Sequence, residues 1–396
     1  MDRLPGFRDF YPEPLPSAEA WSADARQHIF TRWREAARRY GFREYDGPPI
    51  EPLELFTTES GAEIVGQLYN FTDKGERAVA LRPEMTPTLA RMVATAARNY
   101  KKPIKWFALP QLFRYERQQK GRLREHFQFN ADIIGEPDPA ADAELIALLI
   151  DTLRSFDLTT QDFIIRLSSR NAWRDFYLRR HSDETKAYEF YQIIDKLERE
   201  DPAQTATKLS AIGFTLEAVK EFIAAGQPTA ELESILSNLA ARGLDEFVKV
   251  DYNVIRGLAY YTGPVFEAFD KKGEFRAIAG GGRYDNLVKL ISGGKADLPC
   301  VGFGMGDVVL TELLNVRKQQ FWTVGLIYDV FCAIEDEALR AESLKFIQQL
   351  REAGRAVEFP LTSAKPEKQF KRAQESKAKF FVRLERTTEG DRKSVV

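Results

Sequence analysis

Cysteine and histidine are scarce. The 396 residues include two cysteines, Cys300 and Cys332, far apart, and three scattered histidines, His28, His126 and His181. Neither a disulfide framework nor a zinc site is indicated, and no metal is expected to be held by protein side chains alone. No apolar run approaches the about 20 residues of a membrane-spanning helix, and the opening MDRLPGFRDFYPEP lacks a signal-peptide core. A cytoplasmic chain with no membrane partner is expected. The formal net charge of -2 carries no global nucleic-acid signature, so any RNA contact must be local. The familiar phosphate loops are missing too. Gly280-Gly281-Gly282 is not followed by Gly-Lys-Ser/Thr, and no GxGxxG occurs. Three glycines in a row do leave a strand without side chains, which a ligand or another backbone can approach closely.

What is present centres on Phe113–Gly135, FRYERQQKGRLREHFQFNADIIG. It reads as two strands around a basic tip. Arg114 and Glu116 share one face before the tip. After it, Gln128, Asn130 and Asp132 alternate with Phe127, Phe129, Ala131 and Ile133, a period of two. One face is apolar; the other sets two amides and a carboxylate beside an arginine and a glutamate. Such a face suits a small charged ligand better than it suits stability, though a solvated amphipathic hairpin has the same local pattern. Three cations at the tip, Lys120, Arg122 and Arg124, suit phosphates.

The length implies two or three domains. After an extended arm, Leu4–Phe10, a helix is predicted from about Ser17, its stripe of Ile29, Phe30, Trp33, Ala36, Ala37 and Tyr40 ending at Gly41. The segment Phe42–Tyr45 and a turn precede a proline-rich strand, Pro48–Phe56, confined to an edge or interface. Leu68–Leu81 reads as a hairpin turning at Asp73-Lys74-Gly75. Thr86 is the expected N-cap of the next helix, with Pro87 at its start. Glu84, just ahead, reads equally as a capping carboxylate or a partner for an amine. A helix over Ala140–Arg154 and a strand at Phe163–Leu167 lead to a charged helical insertion at about 171–246. Strands follow at Phe247–Asp251 and, around a turn at Asp270–Gly273, at 265–269 and 275–279. A last strand carries Val301, Phe303 and Met305, and a helix opens near Asp307. Beyond a basic linker, strands at 324–328, 356–359 and 379–384 alternate with helices at 337–352 and 365–376, a small parallel α/β domain. Its second helix carries Lys365, Lys368, Lys371, Arg372 and Lys377, a surface for RNA or simply for water. The chain stops inside an apparent strand, so this domain is expected to be incomplete.

Together these segments resemble the class II aminoacyl-tRNA synthetases, and among them the histidyl-tRNA synthetase family, over nearly the whole chain. Phe42–Phe56 resembles the first class motif, at a dimer interface. The central hairpin resembles the second, and GGGRYDNL with PCVGFGMGD resembles the approach to the third. RGLAYYTGPVFE resembles the block that marks the histidine enzymes.

The resemblance implies an α+β catalytic domain over 1–316, built on a mostly antiparallel sheet with the helical insertion. It also implies a small α/β anticodon-binding domain over 323–396. It implies ATP-dependent activation of L-histidine and transfer to the 3'-end of tRNA(His) by a cytoplasmic homodimer, with Mg2+ on the ATP phosphates. Arg114 and Arg256 are the implied catalytic arginines at the α-phosphate, with Glu116 at the adenine end. Glu84, Met85, Thr86, Gln128, Asp132, Tyr260 and Tyr261 would bind histidine, and Gln118, Gln119 and Arg122 the tRNA acceptor end. One position departs from the family pattern. Val309 stands where the third motif has an arginine that stacks on adenine, so ATP is expected to be held differently in this branch. The rival reading is a paralogue serving as regulatory subunit of ATP phosphoribosyltransferase; Arg114, Arg256 and the second α/β domain argue against it. A pure RNA-binding or scaffolding protein would leave the inward polar set without a purpose.

Overall fold

The computed structural model describes residues 2–12, 15–17, 19–60, 62–115, 123–183, 187–198, 200–255, 260–317, 328–386 and 393–395. The chain divides into two compact units: Met1–Asp9 with Arg26–Gln319, and Phe10–Ala25 with Gln320–Val396.

The first unit is built on one nine-stranded sheet. Its strands are β1 (Arg43–Glu44), β2 (Ile104–Ala108), β3 (Gln111–Phe113), β4 (Glu125–Ile134), β5 (Phe163–Ser169), β6 (Val248–Val250), β7 (Pro264–Asp270), β8 (Ala279–Arg283) and β9 (Cys300–Gly306). The order across the sheet is β6-β5-β7-β8-β9-β4-β2-β1, with β3 on β4. Only the outermost pairs, β5 with β6 and β1 with β2, run parallel. An antiparallel sheet can cover one face and leave the other to a ligand, which parallel sheets rarely do.

The covered face takes the apolar half of β4. Phe129, Ala131 and Ile133 are buried there. Helix α1 (Ala23–Arg39) lies against it, with Trp33 stacked on Phe129 at 5.7 Å and Phe30 edge-on to Phe127 at 5.2 Å. Helix α2 (Thr86–Ala96) packs Leu89, Ala90 and Val93 inward. Helix α3 (Ala140–Arg154) has the predicted limits, and Leu145–Ile150 is buried all round, as expected of a helix in the centre of a core. Helix α4 (Asp307–Val316) leaves directly from β9.

Several expectations shift. Helix α1 begins at Ala23 rather than near Ser17, because the Ser22 hydroxyl caps it, accepting from the Ala25 N–H at 3.1 Å. The proline-rich strand shrinks to Ile50–Pro52, the edge of a three-stranded sheet, and Leu53–Ser60 is helical. Prolines 48, 49 and 52 lack the N–H groups that a longer ladder needs. The hairpin that completes this small sheet pairs Asn70–Thr72 with Ala78–Leu81 around the predicted turn. Met85, not Thr86, is the N-cap of α2 and makes no side-chain cap bond; Thr86 is already in the first turn. β7 pairs with the glycine strand itself, Ala279–Arg283, so that of the expected 275–279 only Ala279 is in the ladder. The Asp270 carboxylate accepts from the N–H groups of Glu274 and Phe275 at 3.0 and 3.1 Å. Those donors are thereby drawn away from the ladder, and the connection widens.

The insertion consists of helices at Arg170–Leu178, Ala187–Asp195, Pro202–Ala211, Leu216–Ala225 and Ala230–Ala241. Trp173, Phe176, Phe190 and Phe214 form its aromatic centre. In the second unit, β10 (Val330–Ala333), β11 (Val357–Glu358) and β12 (Phe380–Arg386) form a parallel sheet in the order β11-β10-β12, with Lys393–Val395 added antiparallel. Most of the strand expected at 324–328 lies outside the described residues; β10 is an unanticipated apolar run, buried on both faces and so without alternation. Helices α5 (Arg340–Glu352) and α6 (Pro366–Glu375) follow the predicted pattern. Buried Gln369 ties α6 to the end of β10, accepting from the Ile334 N–H at 2.9 Å and donating to its carbonyl at 2.8 Å.

Candidate active site

The open face of the sheet is stripped of side chains in its middle. Pairing of β4 with β9 sets Gly302 opposite Asp132, Gly304 opposite Asn130 and Gly306 opposite Gln128. β8 extends the bare area, with Gly282 beside Gly302 and Gly280 beside Gly304. A floor of backbone results, with a polar row along one edge. Above it lies a cavity of about 430 Å3, the size of a small-ligand site. Glycine is the physical cause of the space. A Cβ at Gly302 would collide with the Asp132 carboxylate, and one at Gly304 would stand 2.6 Å from the Gln128 amide.

One end of the floor is acidic and aromatic. Asp132 is 3% exposed and accepts a 2.6 Å hydrogen bond from the Tyr284 hydroxyl. Burial drives its carboxyl up to about 7, against the opposing pull of that bond. Beside it the Asn130 Oδ1 is buried without a hydrogen-bond partner among the described residues, an acceptor facing a cavity. Glu84 Oε2 accepts from the Tyr260 hydroxyl at 2.8 Å, and Tyr261 is buried alongside. Arg114 lines the same cavity and is steadied by donating its Nε–H to the Pro83 carbonyl at 2.9 Å. The Pro83-Glu84 turn is held in place by buried Arg82, which donates to the carbonyls of Gly47 at 2.7 Å and Gln111 at 3.1 Å.

Seven predicted residues thus surround one cavity: Glu84, Thr86, Arg114, Gln128, Asp132, Tyr260 and Tyr261. Met85 does not line it; its side chain is fully buried behind the wall, near Arg82. Glu116, Gln118, Gln119, Arg122 and Arg256 lie outside the described residues. Sequence reasoning missed Tyr284, His126, Glu267, Arg276 and the alternate glycines of β9 as cavity residues. The run Gly302-Phe-Gly-Met-Gly306 was the available signal, since glycine at every second position bares one face of a strand.

Behind the floor a buried ion network holds the end of β9. Arg8 donates to Glu125 at 2.7 Å and to Asp307 at 2.8 Å. Glu125 also accepts from the Gln111 amide at 3.0 Å, and Asp307 from the Phe127 N–H at 2.9 Å. Burial pushes the Asp307 carboxyl up, while the Arg8 charge pulls it back. The N-terminal arm is therefore part of the frame of the cavity. On the other flank Arg283 pairs with buried Asp142 and donates to the carbonyls of Glu136 and Asp138 at 3.0 and 3.1 Å. That contact fixes the approach to α3.

Asp132 makes the stability of the ligand-free protein depend on pH. Its carboxyl is raised in the folded state, to about 7 from an ordinary 3.8, so the folded state binds the proton more tightly. The associated stability is fully present below the unfolded value and lost as pH rises through about 7. Asp132→Asn is expected to flatten the dependence of the urea midpoint between pH 5 and 8. An unchanged slope would place the titration elsewhere.

An antiparallel sheet with a bare, polar-edged floor, followed directly by a helix, is the catalytic platform of the class II aminoacyl-tRNA synthetases. The chain has this fold over nearly its full length. It is similar to the solved histidyl-tRNA synthetase of a Nostoc species, with a TM-score of 0.74, 23% identity, and 98% of this chain and 95% of that chain covered. A family model described as histidyl-tRNA synthetase matches residues 14–307. A histidine–tRNA ligase of Opitutus terrae is 48% identical, covering 96% of this chain and 89% of its own length. The chloroplastic and mitochondrial histidine–tRNA ligase of Arabidopsis thaliana is 37% identical over 96% of this chain and 80% of its own length. The chain belongs to the histidyl-tRNA synthetase family.

Proposed function

We propose that the protein activates L-histidine with ATP to histidyl-adenylate and transfers the histidyl group to the 3'-end of tRNA(His). The observation that carries this is the polar row of β4 facing a glycine floor, with Arg114 in the same cavity. A neutral imidazole offers one donor and one acceptor. Buried Asp132 and the neighbouring tyrosines can satisfy both, and an apolar analogue would leave them unpaired. Glu84, Thr86 and Gln128 take the α-amino group and its surroundings. Arg114 clamps the α-phosphate and the histidine carboxylate together, so that a carboxylate oxygen attacks the α-phosphorus in line while pyrophosphate leaves. Arg256 adds positive charge where the transition state gains negative charge, and Glu116 serves the adenine end. Among the described residues no three His, Cys, Asp or Glu side chains converge to hold a metal. Mg2+ would accompany the β- and γ-phosphates of ATP.

The same reading gives Gln118, Gln119 and Arg122 to the tRNA acceptor end and the helical insertion to the acceptor stem. The domain over 323–396 reads the anticodon, with Lys365, Lys368 and Lys371 exposed on one of its helices. A homodimer in the cytoplasm completes it; no helix among the described residues is long and apolar enough to cross a membrane. Relatives at 37–48% identity named as histidine–tRNA ligases favour aminoacylation over the regulatory paralogue. The test is ATP–pyrophosphate exchange with each amino acid in turn. Exchange is expected with histidine alone. Histidine binding without exchange would favour the regulatory reading.

A further inference from the structure

The two ends of the glycine floor differ in chemistry. From Gly302 to Gly306 is four residues of strand, about 13 Å at the usual rise. Asp132, Tyr284 and the Glu84–Tyr260 pair stand at the Gly302 end. Strand register determines what surrounds the Gly306 end. On β4, His126 lies two residues before Gln128, the partner of Gly306, and a Cβ at Gly306 would meet the His126 ring at 4.0 Å. The β8–β9 ladder begins at Ala279 opposite Met305, next to Gly306, and Arg276 lies in the connection from β7, three residues before Ala279. Arg276, His126, Val308 and Val309 all line the cavity. Arg114 and Arg276 are the two arginines among its described lining residues, and they reach it from different sides of the floor.

We infer that Arg276 covers the purine base of ATP at the Gly306 end. The proposal rests on the nucleotide reading of this cavity given above. Val308 and Val309 offer a purine only apolar contact, and a flat guanidinium on its face adds cation–π attraction and planar stacking. Arg276 is exposed, so its guanidinium is accessible to a nucleotide in the cavity. The connection from β7 thus supplies, from the neighbouring hairpin, the cation that position 309 lacks.

Arg276→Ala is expected to raise the KM for ATP in histidine-dependent exchange about tenfold, with the KM for histidine changed less than about twofold. Adding Val309→Arg to that variant restores a guanidinium at the same end of the floor and is expected to recover most of the loss. An unchanged KM for ATP, or equal rises for both substrates, would overturn the assignment. Calorimetric titration of the full chain with ATP alone separates this from the functional reading. If the unsubstituted protein shows no exchange, the aminoacylation reading fails, and weaker ATP binding by Arg276→Ala than by the unsubstituted chain still supports the residue's role. Equal ATP affinity, with or without exchange, refutes it.

Discussion

Gly302→Ala is expected to reduce histidine-dependent exchange by on the order of a hundredfold or more, the scale set by displacing a binding group by about an ångström. The backbone at Gly302 is ordinary strand, so alanine is conformationally allowed and the effect is purely steric. The first atoms that the new methyl meets belong to the Asp132 carboxylate, and the next is the Ala131 carbonyl at 3.1 Å. The carboxylate cannot swing aside cheaply, because the Tyr284 hydroxyl holds it at 2.6 Å in a fully buried setting. At Gly304 the obstacle is the Gln128 side chain, which has more rotamers, so Gly304→Ala should cost less. Exchange kinetics with histidine and ATP varied separately would check this. A double variant, Gly302→Ala with Asp132→Ala, separates blockage from misfolding: it is expected to regain the thermal transition of Asp132→Ala while remaining inactive. Near-normal activity of Gly302→Ala would mean that the floor is not where the substrate lies.

The largest loss of stability is expected at Arg8. Arg8→Met preserves much of the side chain's volume but leaves Glu125 and Asp307 buried without their cation, a type of change that costs about 3–5 kcal/mol. The Asp307 carboxyl, already pushed up by burial, then loses the charge that pulled it back and escapes by taking up a proton. The deficit, read from urea midpoints, should therefore be greatest at pH 8 and shrink toward pH 5. Asp307→Asn in the Arg8→Met background removes one orphaned charge and is expected to recover part of the loss. A deficit independent of pH would mean that the arm acts by packing alone. The network also explains why an acidic residue follows Gly306. Asp307 secures the Phe127 N–H and the arm together, and so holds the Gly306 end of the floor.

Local pattern carried far along this chain. The alternation of β4, the limits of α3, the helical character of the insertion and the strand–helix rhythm after residue 337 depend on periodicity that neighbouring residues express by themselves. The candidate residues on β4 were legible for the same reason, since a period of two assigns every side chain to a face. Legibility failed where a distant partner decides. Thr86 is a better N-cap by type than Met85, yet the Pro83–Met85 turn is shaped by Arg82, which ties it to the distant carbonyls of Gly47 and Gln111, and by Arg114, which reaches it from another segment. Met85 sits among the expected site residues in sequence, but the turn sends it into the core. Asp270 moved a strand boundary by taking two N–H groups from its own loop.

By itself, then, the sequence determined the kinds of element, the two-faced character of the central hairpin and the polar set that the hairpin presents, because each depends on spacing along a single segment. Tertiary structure alone decided that the glycines of β8 and β9 lie under that set, that Tyr284 orients Asp132, that Arg8 braces β4 and α4 from behind, and that Arg276 lines the same cavity. The reason is register. Which residue faces which across a sheet depends on hydrogen bonds between strands more than 100 residues apart, such as Asp132 and Gly302, and nothing in the local pattern of either strand records that pairing.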